Sequence, residues 1–406
     1  MSLDLAAVRA QFPILAEPIH GKRLVYLDSG ASAQKPLAVL DKMDWAHRHA
    51  YANVHRGLHT LANRATEAYE GARETVRGFL NAGRVEEIVF TKSATEAINL
   101  VASSFASPLV GEGDEIVLSI MEHHSNIVPW HFLRERQGAV LRWVDVREDG
   151  SFDLEAFAAS LNERTKLVAI THMSNVLGTV VPIAEVIALA HARGIKVLID
   201  GSQGAVHTKV DVQALDADFY VMTGHKLYGP NGIGVLYGKS ELLAQMRPYQ
   251  GGGGMIEHVS VDAISYGKTP HKFEAGTPAI VEAIGLGAAL NYMMQVGREN
   301  IARHESELRS YAHARLADLP WLKVYGTAPG KGAIVSFTME GLHAHDIATI
   351  VDRSGVAVRA GHHCAQPLME RLGVTAVARA SFAMYNTRQE VDALVAALER
   401  AHELFA

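Results

Sequence analysis

The sequence lacks the features that would send a chain out of the cell or into a membrane. It has a single cysteine, Cys364, in 406 residues, so no intramolecular disulfide can form. The N-terminus, Met1-Ser2-Leu3-Asp4-Leu5, has no basic region, and Asp4 and Arg9 break its apolar residues, which argues against a signal peptide. No stretch reaches the ~18 consecutive apolar residues that a membrane helix needs. Residues 167–184 carry no formal charge, but they include His172, Ser174, Asn175 and Pro182. A basic excess is missing too. The net charge of −6 offers nucleic acid no basic face. There is no internal repeat and no low-complexity linker. These absences predict a soluble protein of a reducing cytoplasm.

What remains is an ordinary globular composition, 48% hydrophobic and 20% charged, in a chain long enough for two domains. Short β-rich runs alternate with helical patterns from about residue 85 to 240. Strands are expected at Glu87–Thr91, Glu115–Ser119, Val140–Val144, Lys166–Thr171, Lys196–Asp200 and Asp218–Met222. Ser93-Ala94-Thr95-Glu96 reads as a capping box opening a helix, and Pro182–Arg193 as another helix. The alternation predicts an α/β fold with a mainly parallel sheet and helices on both faces. Gly251–Gly254 interrupts the pattern, and 255–275 reads as irregular or hairpin. A long helical stretch follows from about Pro278 to Leu316. A second α/β pattern then runs through Ala333–Met339, His345–Ser354, Val356–Arg359 and Ala378–Met384 to a last helix opened by Thr387-Arg388-Gln389-Glu390. The expected organisation is a large domain at 20–285 and a smaller one at 286–406, with residues 1–19 as an arm joining the smaller one.

Three expected strands end in polar loops: Thr171–Asn175, Asp200–Gln203 and Thr223–Lys226. In open α/β sheets ligands sit at the carboxyl ends of strands, so these loops should meet at one pocket. A carboxylate such as Asp200 can hold a protonated ring nitrogen. The amine of Lys226 can bond covalently to an aldehyde. The helix start at Ser93–Glu96 offers free N–H groups to a phosphate, with Thr95, Thr223 and His225 as further donors. A ring nitrogen, an aldehyde and a phosphate together describe pyridoxal 5'-phosphate. His123 could stack on a planar cofactor. The His-His pairs at 123–124 and 362–363 do not read as a metal site, because adjacent residues rarely reach one ion and the i,i+4 spacing is missing.

The chain resembles the group II, SufS-like cysteine desulfurases, a branch of the fold-type I pyridoxal phosphate enzymes with the aspartate aminotransferase-like architecture. The likeness covers almost the whole length. It is carried by Tyr26–Ala31, Arg56–Leu61, Glu122–Asn126, Asp200–Gln203, Thr223–Pro230, Phe273–Pro278, Arg359–Pro367 and Arg379–Asn386. Residues 257–270 match less closely, and Ala94 stands where a hydroxyl residue is common. The resemblance implies that Lys226 carries the cofactor, His123 stacks on it, Asp200 meets its ring nitrogen and Gln203 its hydroxyl. Thr95, Thr223 and His225 would bind the phosphate, with Thr277 reaching it from the other subunit of a homodimer. Arg379 and Asn175 would hold the substrate carboxylate, and Arg359 and His55 would line the substrate side.

The implied reaction is conversion of L-cysteine to L-alanine, with Lys226 moving the Cα proton, His123 aiding proton transfer and Cys364 taking the sulfur as a persulfide. The short loop between Arg359 and Pro367 implies a dedicated acceptor of the SufE or SufU type and a role in iron–sulfur cluster assembly. Selenocysteine would fit the same site. Two other readings stay open at this point. An aminotransferase or a kynureninase-like lyase would have no need of Cys364. A non-catalytic persulfide carrier or metal scaffold would have no use for Asp200 or Lys226.

Overall fold

Apolar runs of four to seven residues dominate the first half of the chain. In the computed structural model, which describes residues 3–405, they form one seven-stranded sheet. Met1, Ser2 and Ala406, at the ends of the expected outer ranges, lie outside the described residues. The strands are β1 (Ile88–Thr91), β2 (Glu115–Ser119), β3 (Val140–Val144), β4 (Thr165–Thr171), β5 (Lys196–Asp200), β6 (Phe219–Thr223) and β7 (Gly234–Gly238). Their spatial order is β1-β7-β6-β5-β4-β2-β3. Strands β2 to β6 pair in parallel, and β7 runs antiparallel between β1 and β6.

The sheet is buried on both faces because successive side chains point to opposite sides. Val168, Ile170, Val197, Ile199, Tyr220 and Met222 enter one core, while Leu167, Ala169, Leu198, Phe219 and Val221 enter the other. That double burial explains why these strands read as continuous apolar runs rather than alternating ones. Helix α1 (Thr60–Leu80) packs with a later helix, α4 (Ile280–Val296), against the first core. Helices α2 (Ala94–Val101) and α3 (Val128–Gln137) pack into the second. The long helix expected over Pro278–Leu316 is two helices. Gly297, at φ +91°, ends α4 and starts α5 (Arg298–Ala317). A side chain rarely adopts that conformation, which glycine reaches freely.

The second sheet is antiparallel, in the order β8-β9-β11-β10: β8 (Leu322–Tyr325), β9 (Ile334–Met339), β10 (Arg359–Gly361) and β11 (Val377–Ser381). It shares a core with α5 and the final helix α6 (Arg388–Glu403). The expected strand at Val356–Arg359 divides. Val356–Ala357 pairs in parallel with Val25–Tyr26, and Arg359 begins β10. Residues 9–12 lie where both sheets meet. Phe12 touches Tyr228, Tyr292 and Tyr385, and Arg9 pairs with Glu390 at 2.9 Å. Among the described residues no helix is long and apolar enough to cross a membrane.

One close approach bears on the site. A Cβ on Gly234 would lie 2.3 Å from the backbone carbon of Ser93, at the start of α2. Replacing Gly234 with Ala should push β7 and that helix start apart and cost about 1–3 kcal/mol of stability, as overpacking does. A thermal melt at or above the wild-type midpoint would refute this contact as a constraint.

Candidate active site

A cavity of about 220 Å³ opens at the carboxyl ends of β4, β5 and β6. The main sheet supplies Asn175, Asp200, Thr223, His225 and Lys226, and the start of α2 supplies Thr95. His123 enters from the loop after β2. The second sheet closes the cavity with Arg359, Cys364 and Arg379. Ten residues expected at the site are therefore gathered around one space.

The cofactor end is built for a phosphorylated, aldehyde-bearing ring. Ser93, Ala94 and Thr95 line the wall, so the first-turn N–H groups of α2, which lack helical partners, stand there. The Ser93 side chain caps the helix by accepting from Glu96 N at 3.2 Å. The other half of the expected capping box is replaced, because Glu96 accepts from Lys92 N at 2.5 Å. Thr95 Oγ1 and Ser125 Oγ share a hydrogen bond of 2.7 Å. Ser125 N also donates to His123 Nδ1 at 3.1 Å. That bond makes Nδ1 the acceptor and leaves the proton of the neutral ring on Nε2. Burial, then the charge of Lys226, pushes His123 down to about 4, so it is neutral at physiological pH. Ser125 lies inside the quoted Glu122–Asn126 segment but was given no role. A hydroxyl two residues after His123 was the available signal.

Asp200 is 5% exposed. One of its oxygens accepts from Ser202 N at 3.0 Å, and no bond to the other is formed among the described residues. A buried carboxylate with a spare oxygen facing a cavity suits a protonated ring nitrogen. Lys226 Nζ has no hydrogen bond or ion pair among the described residues. Burial lowers its pKa to about 8, against the pull of Asp200. Both groups fit pyridoxal phosphate as it would be held here. Gln203, expected to meet the ring hydroxyl, does not line the cavity; it is 3% exposed and donates to the O of Gly30, which does, at 2.7 Å.

Two other expected residues lie elsewhere. Thr277 lines a separate cleft with Tyr69, Phe90 and Glu274. His55 sits beside it, bonded to Glu70 at 2.7 Å, with its ring 4.8 Å from that of His271.

At the substrate end, Asp28 binds both arginines. Arg359 donates from Nε to both carboxylate oxygens at 3.1 Å, and its Nη2 lies 2.9 Å from Oδ2. Arg379 donates from Nη2 to Oδ1 at 3.1 Å and from Nη1 to Asn175 O at 2.9 Å. The Nε of Arg379 is buried without a partner among the described residues. Asp28 belongs to the quoted Tyr26–Ala31 segment, but its pairing partners lie more than 330 residues away and sequence gave no sign of them.

The cysteine loop is tied from His362 to Gln366. Asn175 Nδ2 donates to His363 O at 2.7 Å, and His124 N donates to Cys364 O at 2.7 Å. Cys364 N donates to His362 Nδ1 at 3.0 Å, and Gln366 N to His124 Nε2 at 3.3 Å. His124, His362 and Cys364 place ligand-type atoms within 4.8 Å of one another, one histidine from each pair. The ring nitrogens named above already accept backbone N–H groups, so a cation using them would have to displace those bonds.

The sequence pattern named "Aminotransferase class-V" matches residues 25–394. The chain belongs to that family, whose members with this fold are the fold-type I pyridoxal phosphate enzymes. Several full-length relatives are named cysteine desulfurase. One from Pectobacterium atrosepticum is 51% identical over 405 residues, covering 100% of this chain and 99% of the relative. One from Dickeya dadantii is 52% identical, covering 98% and 96%. The crystal structure of the cysteine desulfurase CsdA from Escherichia coli, in its S-sulfonic acid form, matches with a TM-score of 0.93 at 42% identity over 100% of both chains.

The lowered pKa of Lys226 has a direct consequence, because only a neutral amine bonds an aldehyde. Apoprotein mixed with pyridoxal phosphate should gain its lysine-linked absorbance at a rate that rises with pH and levels off above about 8. Lys226→Ala should gain none. A rate in the wild type still climbing at pH of about 10, where an ordinary lysine titrates, would reject the assignment.

Proposed function

We propose that the chain is a cysteine desulfurase, converting L-cysteine to L-alanine and holding the sulfur as a persulfide on Cys364. The observation that carries this reading is the single cavity lined by Lys226, Asp200, Arg379 and Cys364. An aminotransferase has no need of a thiol there, and a passive carrier has no need of the lysine and the aspartate.

Pyridoxal phosphate, held by Lys226, Asp200 and the α2 start, supplies an electron sink for the substrate's Cα when bound. Arg379 binds the substrate carboxylate through its unpartnered Nε. Lys226, where its amine is free and neutral, would take the Cα proton. Its lowered pKa leaves far more of it neutral near physiological pH than an ordinary lysine would have. The Cys364 thiolate then bonds to the substrate sulfur as the Cβ–S bond breaks. Neutral His123 can pass its Nε2 proton during this cleavage. The carbon fragment gains protons and leaves as alanine, and the persulfide stays on the enzyme. Atoms balance as cysteine plus a thiol giving alanine plus a persulfide.

The tied loop supports delivery to a partner that comes to Cys364, of the SufE or SufU type in iron–sulfur cluster assembly. The position of Thr277 and His55 outside the cavity supports a homodimer that shares its sites. The face near them exposes Val259, Val261, Ile264 and Tyr266 on and beside a hairpin.

Cys364→Ala should keep its cofactor absorbance and lose persulfide formation from L-cysteine, measured as alanine release and as the mass of the protein. Full alanine release in that variant would sink the assignment. Light scattering should give twice the 44.0 kDa chain mass.

A further inference from the structure

A phosphate at the start of α2 meets few charges. The cations that line the cavity, among the described residues, are Lys226, Arg359 and Arg379. Lys226 is the aldehyde's partner, and both arginines stand on the second sheet, paired with Asp28. Burial, then the charge of Lys226, lowers His225 to about 4, so it is neutral at physiological pH. Hydroxyl and backbone N–H groups therefore have to hold the anion, and each such bond to a charged group is stronger than a neutral one. At the helix start Ser93 Oγ caps Glu96 N, and Ala94 has no hydroxyl. Thr95 Oγ1 faces Ser125 Oγ at 2.7 Å, and both residues line the cavity. One hydroxyl of that pair donates to the other, and both can turn their protons to an anion's oxygens, because a hydroxyl rotates to suit its acceptor. The single lone pair of His123 Nδ1 is taken by Ser125 N at 3.1 Å, so the Ser125 hydroxyl, also 3.1 Å away, is not needed there. The residues on either side of Ser125 are fixed. Asn126 donates to Glu122 at 2.7 Å and accepts from Trp130 at 3.1 Å, and His124 N donates to Cys364 O at 2.7 Å. A donor on a rigid mount loses little freedom when it binds.

We propose that Ser125 is a further cofactor-binding residue, whose hydroxyl joins that of Thr95 in holding the phosphate of pyridoxal phosphate. The inference rests on the reading that the phosphate lies at the α2 start, in the cavity that also holds Lys226 and the buried Asp200. Ser125 then serves the phosphorylated cofactor and does nothing for a ring that lacks the phosphate.

The test uses the full-length apoprotein and two probes, pyridoxal phosphate and pyridoxal, which share the ring and the aldehyde and differ in the phosphate. The dissociation constant of each is read from the lysine-linked absorbance. Ser125→Ala should raise that of pyridoxal phosphate by about tenfold or more, as the loss of one hydrogen bond to a charged group does, and leave that of pyridoxal unchanged. Thr95→Ala should act on the same probe in the same direction. A role confined to shaping the loop would weaken both probes alike in Ser125→Ala, and that result overturns the proposal. So does an unchanged constant for pyridoxal phosphate in Ser125→Ala when Thr95→Ala raises it. If neither variant changes it, the phosphate does not lie at the α2 start, and the reading of that end fails with the proposal. Should Ser125→Ala not fold, Ser125→Gly carries the same expectation. A failure of both to fold counts against the proposal, which gives the hydroxyl no part in the fold.

Discussion

One carboxylate between two guanidinium groups joins the parts of this molecule that make the site. Asp28 comes from the N-terminal segment, and Arg359 and Arg379 come from neighbouring strands of the second sheet. Arg379 extends the tie to the main sheet through Asn175 O. Burying a guanidinium that is 2% exposed costs several kcal/mol unless charge and hydrogen bonds compensate it. The pairing is therefore a condition of the fold as well as a feature of the pocket. Backbone bonds run beside it. Leu27 N donates to Ala357 O at 2.9 Å, and Ser381 N donates to Leu27 O at 2.7 Å. The segment around Asp28 is a stitch between the two sheets, and the spacing of Lys226 and Cys364 depends on it, because each stands on a different sheet's side of the cavity.

The cysteine loop shows what that spacing requires locally. His363 and Cys364 both have positive φ, at 51° and 56°. For residues with a Cβ this left-handed conformation costs roughly 1–2 kcal/mol each. The bonds from Asn175, His124, His362 and Ala365 hold it in place. His363 adds a ring bond to Val377 O at 3.0 Å, which makes Nε2 the donor, and burial pushes its pKa down to about 3. A neutral, anchored histidine on one side of Cys364 and a ring-to-backbone bond on the other leave the thiol little freedom to travel. Strain held at a reactive residue suits a nucleophile that stays in one place.

Much of this was legible in the sequence wherever chemistry and local structure coincide. The ends of β4, β5 and β6 were readable because a buried parallel strand is a bare apolar run, and the polar residues that stop it stand out. Lys226, Asp200 and the Ser93 cap were found that way. Strand β7 was missed because Gly234 and Gly238 bracket a short run, and its neighbours in the sheet lie far along the chain. The break at Gly297 was missed because helical periodicity resumes at once on its far side. Asp28 and His124 were passed over for a different reason. Each acts through partners more than 200 residues away, and one sequence carries no record of such a pairing.

The electrostatics of the cavity then follow from where charge is and is not compensated. Arg359 and Arg379 have Asp28, whereas Lys226 has no ion-pair partner among the described residues. Burial alone would drive the lysine toward its neutral form, and Asp200 limits the drop to about 8. The nearby imidazoles of His123 and His225 are each held down to about 4, by burial first and by Lys226 second. At neutral pH they add no positive charge that would depress the lysine further. The cavity thus keeps its fixed positive charge at the arginine end and its removable proton at the lysine. In the reading proposed above, that separation would let one pocket both anchor an anion and receive a proton from carbon. It rests on Asp28 and Asp200 each standing beside a different cation.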